Sequence, residues 1–179
     1  MLTTTLNRIR AHGPCEQGWT KLLKGLGKTQ ADDAPLPYAT ILAINGLDDA
    51  LWCCRAEPEH AKTWRLFAVW CARSVQHLLT DARSIAAIDV AERYANGEAT
   101  VEELRAAWAA ARAAAWDAAS DAASDAAWAA AWAAAWAARD AAWDAASEAA
   151  WEAARAAACD ATWAAAQEAQ SAKFKEMVS

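Results

Sequence analysis

Glycine and proline are missing from the second half of this sequence. All 6 glycines and all 4 prolines lie at or before Gly97, so residues 98–179 contain neither. These two residue types are the strongest local signals for turns and helix ends. Nothing in the second half therefore interrupts a helix by itself, and any break there must fall at Asp or Ser caps.

The sequence also lacks an excess of positive charge and a long apolar run. Its 17 Lys and Arg residues against 23 Asp and Glu residues give a net charge of -6. A general cationic surface for DNA or RNA is therefore absent, although a local arginine cluster for a small anion stays open. The uncharged run over residues 126–138 is shorter than the roughly 20 residues that span a bilayer. We expect neither a nucleic-acid polymer nor a membrane as partner.

Cysteine is scarce and odd in number. The sequence has 5 cysteines and no recognisable secretory signal at its start, which predicts a cytoplasmic protein. Cys53 and Cys54 are adjacent in a helical segment, where neighbouring side chains point about 100° apart, so we interpret both as small buried hydrophobic residues. No Cys or His pair has the usual zinc-ligand spacing. We predict no metal site and no cofactor.

Alanine and tryptophan dominate the second half instead. From residue 101 onward the composition is mostly Ala, Trp, Asp, Ser, Glu and Arg, and alanine has the highest intrinsic helix propensity. One helix over residues 101–170 would be about 105 Å long, whereas a compact chain of this size has a radius of gyration of about 16 Å. The segment is therefore predicted to fold back, with breaks in residues 120–125 and 138–142.

Tryptophan recurs every four residues at Trp128, Trp132 and Trp136. A four-residue step drifts by about 40° around a helix, so the three rings share one face. We expect each helix of this half to turn its indoles inward and to use alanine for close approach to its neighbours. The alternative is a row of flat rings that holds a ligand.

Helix boundaries are clearest in the first half. Asp48 and Asp81 are predicted N-caps, and the helix that follows Asp81 is predicted to end at Gly97, where a left-handed cap is tolerated. Thr100 and Glu103 have the spacing of a capping box, which predicts a new helix start.

These elements predict one all-α domain over residues 1–179. It would be a multi-helix bundle with a long Ala/Trp-rich C-terminal segment folded back on itself. Residues 1–36 are predicted to be an N-terminal extension with a short helix from about Cys15 and a polar loop. Residues 37–100 would form a helical core, and residues 101–178 the Ala/Trp-rich helices.

One candidate binding site lies on the first of these Ala/Trp-rich helices. Steps of three and four residues place two indoles and two guanidinium groups along one side of it. Stacked indoles with nearby arginines hold flat bases without reading their sequence. The candidate ligand- or partner-binding residues here are Arg105, Trp108, Arg112 and Trp116.

A second candidate set is Trp70, Arg73, His77 and Asp81, at steps of three, four and four. On one helix His77 would pair with Asp81, and Arg73 would present a cation beside an indole. The alternative interpretation is a polar edge that joins two helices. Ser74 and Ser84 are near in sequence, but nothing marks either as an activated nucleophile, so we predict no catalytic residue and no enzyme.

A family resemblance adds a possible role. The stretches "NGLDDALWCCRA" and "RLFAVWCARSVQHLLTDARSIAAIDVAERYANGEATVEELRAAW", followed by an Ala-rich helical tail, resemble the immunity-protein-five-like group of immunity proteins. The resemblance covers about residues 40–178 and is best over 65–108. It implies an all-helical cytoplasmic protein of bacteria or their phages that neutralises a toxin or a rival's defence. It supplies no catalytic residues.

Two functions from different classes stay open. The first is a non-catalytic inhibitor that occludes a toxin or effector protein, since an acidic chain suits a basic partner. The second is a module, in a homo-oligomer, that sequesters a small nucleotide-like signalling molecule between Trp and Arg side chains. A third alternative is a purely structural role as a helical rod, for which we expect an elongated particle in solution.

Overall fold

The helix-forming segments of the sequence become ten α-helices in the computed structural model, which describes residues 1–120, 125–139, 142–157 and 163–179. The predicted all-α multi-helix bundle is confirmed. Six helices lie in the first half: α1 Leu6–Ala11, α2 Glu16–Gly25, α3 Tyr38–Asn45, α4 Leu47–Cys53, α5 Ala61–Ser74 and α6 Ala82–Ala95. Four lie in the second: α7 Val101–Ser120, α8 Asp125–Ala137, α9 Ala142–Ala157 and α10 Trp163–Val178.

The N-terminal residues contain more structure than the predicted short helix and loop. Helix α1 precedes the predicted helix, which is α2 and is capped by Cys15 as expected. Two short strands, β1 Thr3–Thr4 and β2 Leu36–Pro37, pair antiparallel. Leu6, Ile9 and Leu22 are at most 2 % exposed and belong to the same core as the rest of the bundle. A two-residue strand is too short to produce a recognisable alternation of apolar and polar residues.

Local capping chemistry sets the helix boundaries of the middle of the chain. Thr100 Oγ1 accepts from the Glu103 N–H at 3.1 Å, and the Glu103 carboxylate accepts from the Thr100 N–H at 2.7 Å, which confirms the predicted capping box. Asp81 accepts from the Arg83 N–H at 2.8 Å, as an N-cap should. The prediction for Asp48 is wrong. Gly46 at φ 97° caps α4, so that Leu47 is buried and Asp48 lies in the first turn.

The Ala/Trp-rich segment folds back as predicted. Helix α8 packs against α7 and α9 and also against α5 and α6, so it lies among the other long helices. The helix bounds on either side of the predicted breaks are Ser120 and Asp125, then Ala137 and Ala142. Residues 121–124 and 140–141, on which those predictions fall, lie outside the described residues. A further change of helix between Ala157 and Trp163 had no counterpart in the prediction.

Alanine forms the inner faces of α8 and α9, and the expected inward-facing indoles are not found. Trp128, Trp132 and Trp136 are half-buried, and Trp132 and Trp136 pack against the outside of the core. The physical reason is spacing, because helices that contact neighbours on several sides at 8–10 Å between axes leave no room for an indole. The buried residues of α8 are all alanines: Ala126, Ala129, Ala130, Ala131, Ala133, Ala134, Ala135 and Ala137.

A cluster of large aromatic side chains joins the first half to the C-terminal helix. The Trp64 ring lies 5.0 Å from the Tyr38 ring and 6.1 Å from the Phe174 ring, between centroids. Their polar atoms are satisfied, since Tyr38 Oη donates to the Cys53 carbonyl at 3.0 Å and Trp64 Nε1 to the Glu57 carbonyl at 3.1 Å. Helix α10 is thereby fixed onto α3 and α5.

Enlarging a buried alanine tests this packing. Ala146 on α9 is fully buried, whereas Ala109 on α7 is exposed. We expect Ala146→Leu to lower the free energy of unfolding by about 1–3 kcal/mol, because added methyl groups have no space to enter. Ala109→Leu is the matched control and should leave stability within about 0.5 kcal/mol. Urea unfolding followed by circular dichroism measures both, and equal effects of the two changes would contradict the alanine-packed core.

Candidate binding site

Indole rings of α7, α8, α9 and α10 form a continuous row. Trp132 is central, with ring centroids 5.7 Å from Trp116, 6.2 Å from Trp128 and 6.2 Å from Trp136. At the other end Trp151 and Trp163 lie 6.4 Å apart. The Arg155 guanidinium connects the two parts. We call these residues the tryptophan row: Trp116, Trp128, Trp132, Trp136, Trp151 and Trp163, with Arg155.

The connection through Arg155 is a cation–π contact on two sides. The Arg155 guanidinium carbon lies 4.6 Å from the Trp128 ring centroid and 5.9 Å from that of Trp151. A guanidinium group stacks on indole faces because the ring quadrupole attracts the cation and the flat shapes match. Arg155 therefore fixes the position of the Trp128 ring on α8 relative to the Trp151 ring on α9.

The ends of the tryptophan row face solvent. Trp116 is 59 % exposed, Trp151 is 49 % exposed and Trp163 is 37 % exposed, and they are three of the four exposed large hydrophobic residues in the described chain. Single exposed apolar residues are ordinary, but indoles gathered in one row mark a surface that contacts something else. Tryptophan is also the residue most enriched at binding hot spots.

Three buried polar atoms near the middle of the row have no hydrogen-bond partner. They are the indole N–H groups of Trp128 and Trp132 on α8 and the Oε2 atom of Glu152 on α9. Leaving a buried donor or acceptor unpaired costs about 1–3 kcal/mol for each group.

Glu152 is the one carboxyl of α9 that is buried, at 7 % exposure. Burial raises the pKa of Glu152 to about 7, and the charge of Glu148 adds to that rise, while Arg155 opposes it. The nearest guanidinium nitrogen of Arg155 is 4.0 Å from Glu152 Oε2, too far for a hydrogen bond. Near neutral pH this carboxyl therefore exists in both its protonated and its ionised form.

The candidate residues on α7 are partly brought together. The Arg112 guanidinium lies 5.0 Å from the Trp108 ring centroid, so these two form the predicted cation–indole pair. Trp116 is exposed and contacts Trp132 edge-on, which makes it the α7 end of the tryptophan row. Arg105 is exposed on the same helix, three residues before the half-buried Trp108.

The second candidate set does not share one helix. Helix α5 ends at Ser74, so Trp70 and Arg73 lie on it, whereas His77 lies in a 3₁₀ turn and Asp81 caps α6. Asp81 pairs with Arg83 at 2.6 Å. The predicted placement of this set along one helix is therefore wrong, because the chain leaves the α-helix at Val75.

Arg73 joins two helices. It forms ion pairs with Asp89 at 2.9 Å and with Glu92, both on α6. These contacts hold α5 against α6, in agreement with the polar-edge interpretation. Trp70 stacks on Phe67 with ring centroids 6.3 Å apart, so its indole packs with its own helix rather than beside the guanidinium of Arg73.

Three stacking arginines were missed by the sequence analysis. The Arg55 guanidinium lies between the Trp52 and Trp143 rings, at 4.1 Å and 4.0 Å, and Arg139 lies 4.9 Å from the Trp136 ring. Arg155 is the third. The sequence does contain a signal that predicts these contacts. Each of these arginines follows a tryptophan by three or four residues, as Arg112 follows Trp108.

The remaining residues of interest are the possible metal ligands and the cysteines. Within the residues that the structure describes, no group of three His, Cys, Asp or Glu side chains is placed to hold a metal ion. Cys53 and Cys54 are buried and free, as predicted, and burial raises the pKa of Cys53 to about 12. Cys159 lies outside the described residues. None of the described helices has the length and apolarity needed to cross a membrane.

Comparisons with protein-family models, with curated proteins and with solved structures found no match to this chain. The geometry of the tryptophan row must therefore carry the functional argument.

The raised pKa of Glu152 predicts a pH-dependent stability. The folded carboxyl keeps its proton to a pKa of about 7, whereas its ordinary value is 4.5, so folding stability falls as the pH rises through this window. We expect a loss of up to about 3 kcal/mol from this group. Glu152→Gln should reduce the difference in unfolding free energy between about pH 5 and pH 8.

Glu148→Gln is the matched control, since Glu148 is exposed one turn earlier on the same helix. It should change the pH dependence little. Urea unfolding at the two pH values gives the free energy of unfolding of each variant and of the unaltered chain. A Glu152→Gln protein whose stability has the pH dependence of the unaltered chain would refute the raised pKa.

Proposed function

We propose that this protein is a non-catalytic binding protein that engages a partner protein through the tryptophan row. The observation that carries the proposal is the exposure of Trp116, Trp151 and Trp163 at the ends of one connected set of rings. Exposing several indoles to water is unfavourable. A partner that covers them recovers that cost and gains the large contact area that indoles supply.

The partner class follows from the family resemblance and from charge. The resemblance to immunity proteins implies a toxin or an effector, and the net charge of -6 favours a basic partner by electrostatic steering. The rigid framework also fits an inhibitor. Alanine-packed helices present the indoles in a fixed arrangement, so little side-chain entropy is lost when the partner binds.

Protection against a toxin tests this proposal. Each open reading frame adjacent to this gene is expressed with and without this chain, and growth is measured to find one whose toxicity this chain relieves. Trp151→Ala combined with Trp163→Ala should abolish protection and weaken binding at least tenfold, because both rings are exposed and contact each other.

The matched control changes exposed residues on the same two helices, Glu148→Ala with Glu168→Ala. It should retain protection. Circular dichroism confirms that both double variants fold. Full protection by the folded tryptophan variant would overturn the assignment of these rings to the interface.

A second candidate function is the sequestration of a small nucleotide-like molecule. It is supported by the unpaired N–H groups of Trp128 and Trp132 and the unpaired Oε2 of Glu152 beside the stacked Arg155. A nucleobase has ring-edge acceptors, exocyclic donors and a flat face, which is the complement of these groups. Its phosphate would suit the guanidinium of Arg155.

Titration with mononucleotides and cyclic dinucleotides tests the second candidate. Binding should quench tryptophan fluorescence and raise the melting temperature with ligand concentration. Trp128→Phe removes one unpaired N–H but keeps an aromatic ring, and it should weaken binding about tenfold. Trp136→Phe, at the edge of the same row, is the control and should leave affinity unchanged. The absence of saturable binding by every nucleotide would exclude this function.

A further inference from the structure

A cavity of about 130 Å³ lies among α1, α2, α3 and α4, away from the tryptophan row. Its apolar part is formed by the buried side chains of Ile9, Leu22 and Ile41, and the indoles of Trp19 and Trp52 line it as well. An apolar protein cavity of about 150 Å³ holds a benzene molecule. The volume here therefore accepts a ligand fragment of about one six-membered ring.

The lining of the cavity is mostly apolar, and Asn45 and Asp49 are the residues in it that carry amide or carboxyl groups. The Asn45 side chain lines the cavity, and its Nδ2 donates to the Gly18 carbonyl at 2.9 Å and to Asp49 Oδ2 at 2.6 Å. Both partners are acceptors, so the orientation of the amide is fixed. The Oδ1 atom of Asn45 is buried and has no donor. This atom is enclosed behind the lining and is not open to the cavity.

The Asp49 carboxylate, which also lines the cavity, is not neutralised. Within the described parts of the chain it forms no ion pair, and residues 121–124, 140–141 and 158–162 contain no Lys, Arg or His. Lys21 is close by, but its Nζ donates to the Asn45 main-chain carbonyl at 3.1 Å. A half-buried carboxylate without a cation favours a positively charged ligand.

Gly18 lets this carboxylate lie close to α2. A Cβ atom at residue 18 would be only 2.9 Å from Asp49 Oδ2, a distance that real Cβ atoms do not adopt. Glycine thus leaves room for the carboxylate beside α2, although it lowers the helix propensity of that helix. The glycine at residue 18 thus gives Asp49 space beside the cavity and lowers the intrinsic stability of α2.

We propose that this cavity is a binding site for a small organic ammonium ion with an apolar body of about one ring. The body packs against Ile9, Leu22 and Ile41, and the ammonium group donates a hydrogen bond to the Asp49 carboxylate. The indoles of Trp19 and Trp52 add apolar surface and attract the cation. The site is independent of the function assigned to the tryptophan row.

Calorimetric titration of the full chain with benzylammonium chloride tests the site. Benzyl alcohol has nearly the same shape without the charge, so it serves as the ligand control. We expect saturable binding of benzylammonium with one site, at least about tenfold tighter than benzyl alcohol, because a charge-assisted hydrogen bond is stronger than a neutral one. This comparison uses the unaltered protein and needs no variant to fold.

Asp49→Asn should weaken benzylammonium binding about tenfold or more and leave benzyl alcohol unchanged. Asp48→Asn is the matched control, since Asp48 is exposed in the same turn of α4 and does not line the cavity. It should leave both ligands unaffected. Absence of saturable binding, equal affinity for the two ligands, or equal effects of the two variants would each overturn the proposal.

Discussion

The close approach of alanine-faced helices is the constraint on which the rest of this structure depends. Helix α8 has neighbours on several sides, and its buried residues are all alanine. Only a side chain as small as that of alanine lets neighbouring helices pack with the shortest distances between their axes. The indoles of α8 and α9 are therefore displaced outward. The tryptophan row is a consequence of the alanine-packed core and does not form that core.

Arginine then makes the displaced indoles compatible with water. Arg55 lies between two rings, and Arg139 and Arg155 each cover one or more, so a charged group shields apolar ring faces at the surface. The buried Arg65 donates to the Arg139 carbonyl and lies 4.9 Å from the Tyr94 ring, which ties α5 to the end of α8. Stacked guanidinium groups serve both solubility and rigidity here.

Features that depend on local sequence could be predicted, and features that depend on which helices meet could not. The capping box at Thr100 and Glu103 and the N-cap at Asp81 need only neighbouring residues, and both are found. The direction of the indoles was predicted wrongly, because helical spacing shows that rings share a face but not whether that face is inside. The burial of Glu152 with no hydrogen bond to its Oε2 atom depends on tertiary packing, which no spacing rule contains.

The central claim is that alanine, not tryptophan, fills the core of the second half. Oxidative labelling of the native protein, with each tryptophan quantified by mass spectrometry, tests it most directly. The account predicts rapid modification of Trp116, Trp151 and Trp163 and strong protection of Trp64, which is 1 % exposed. Equal protection of all four would contradict it, since the indoles of α7, α9 and α10 would then have to be buried.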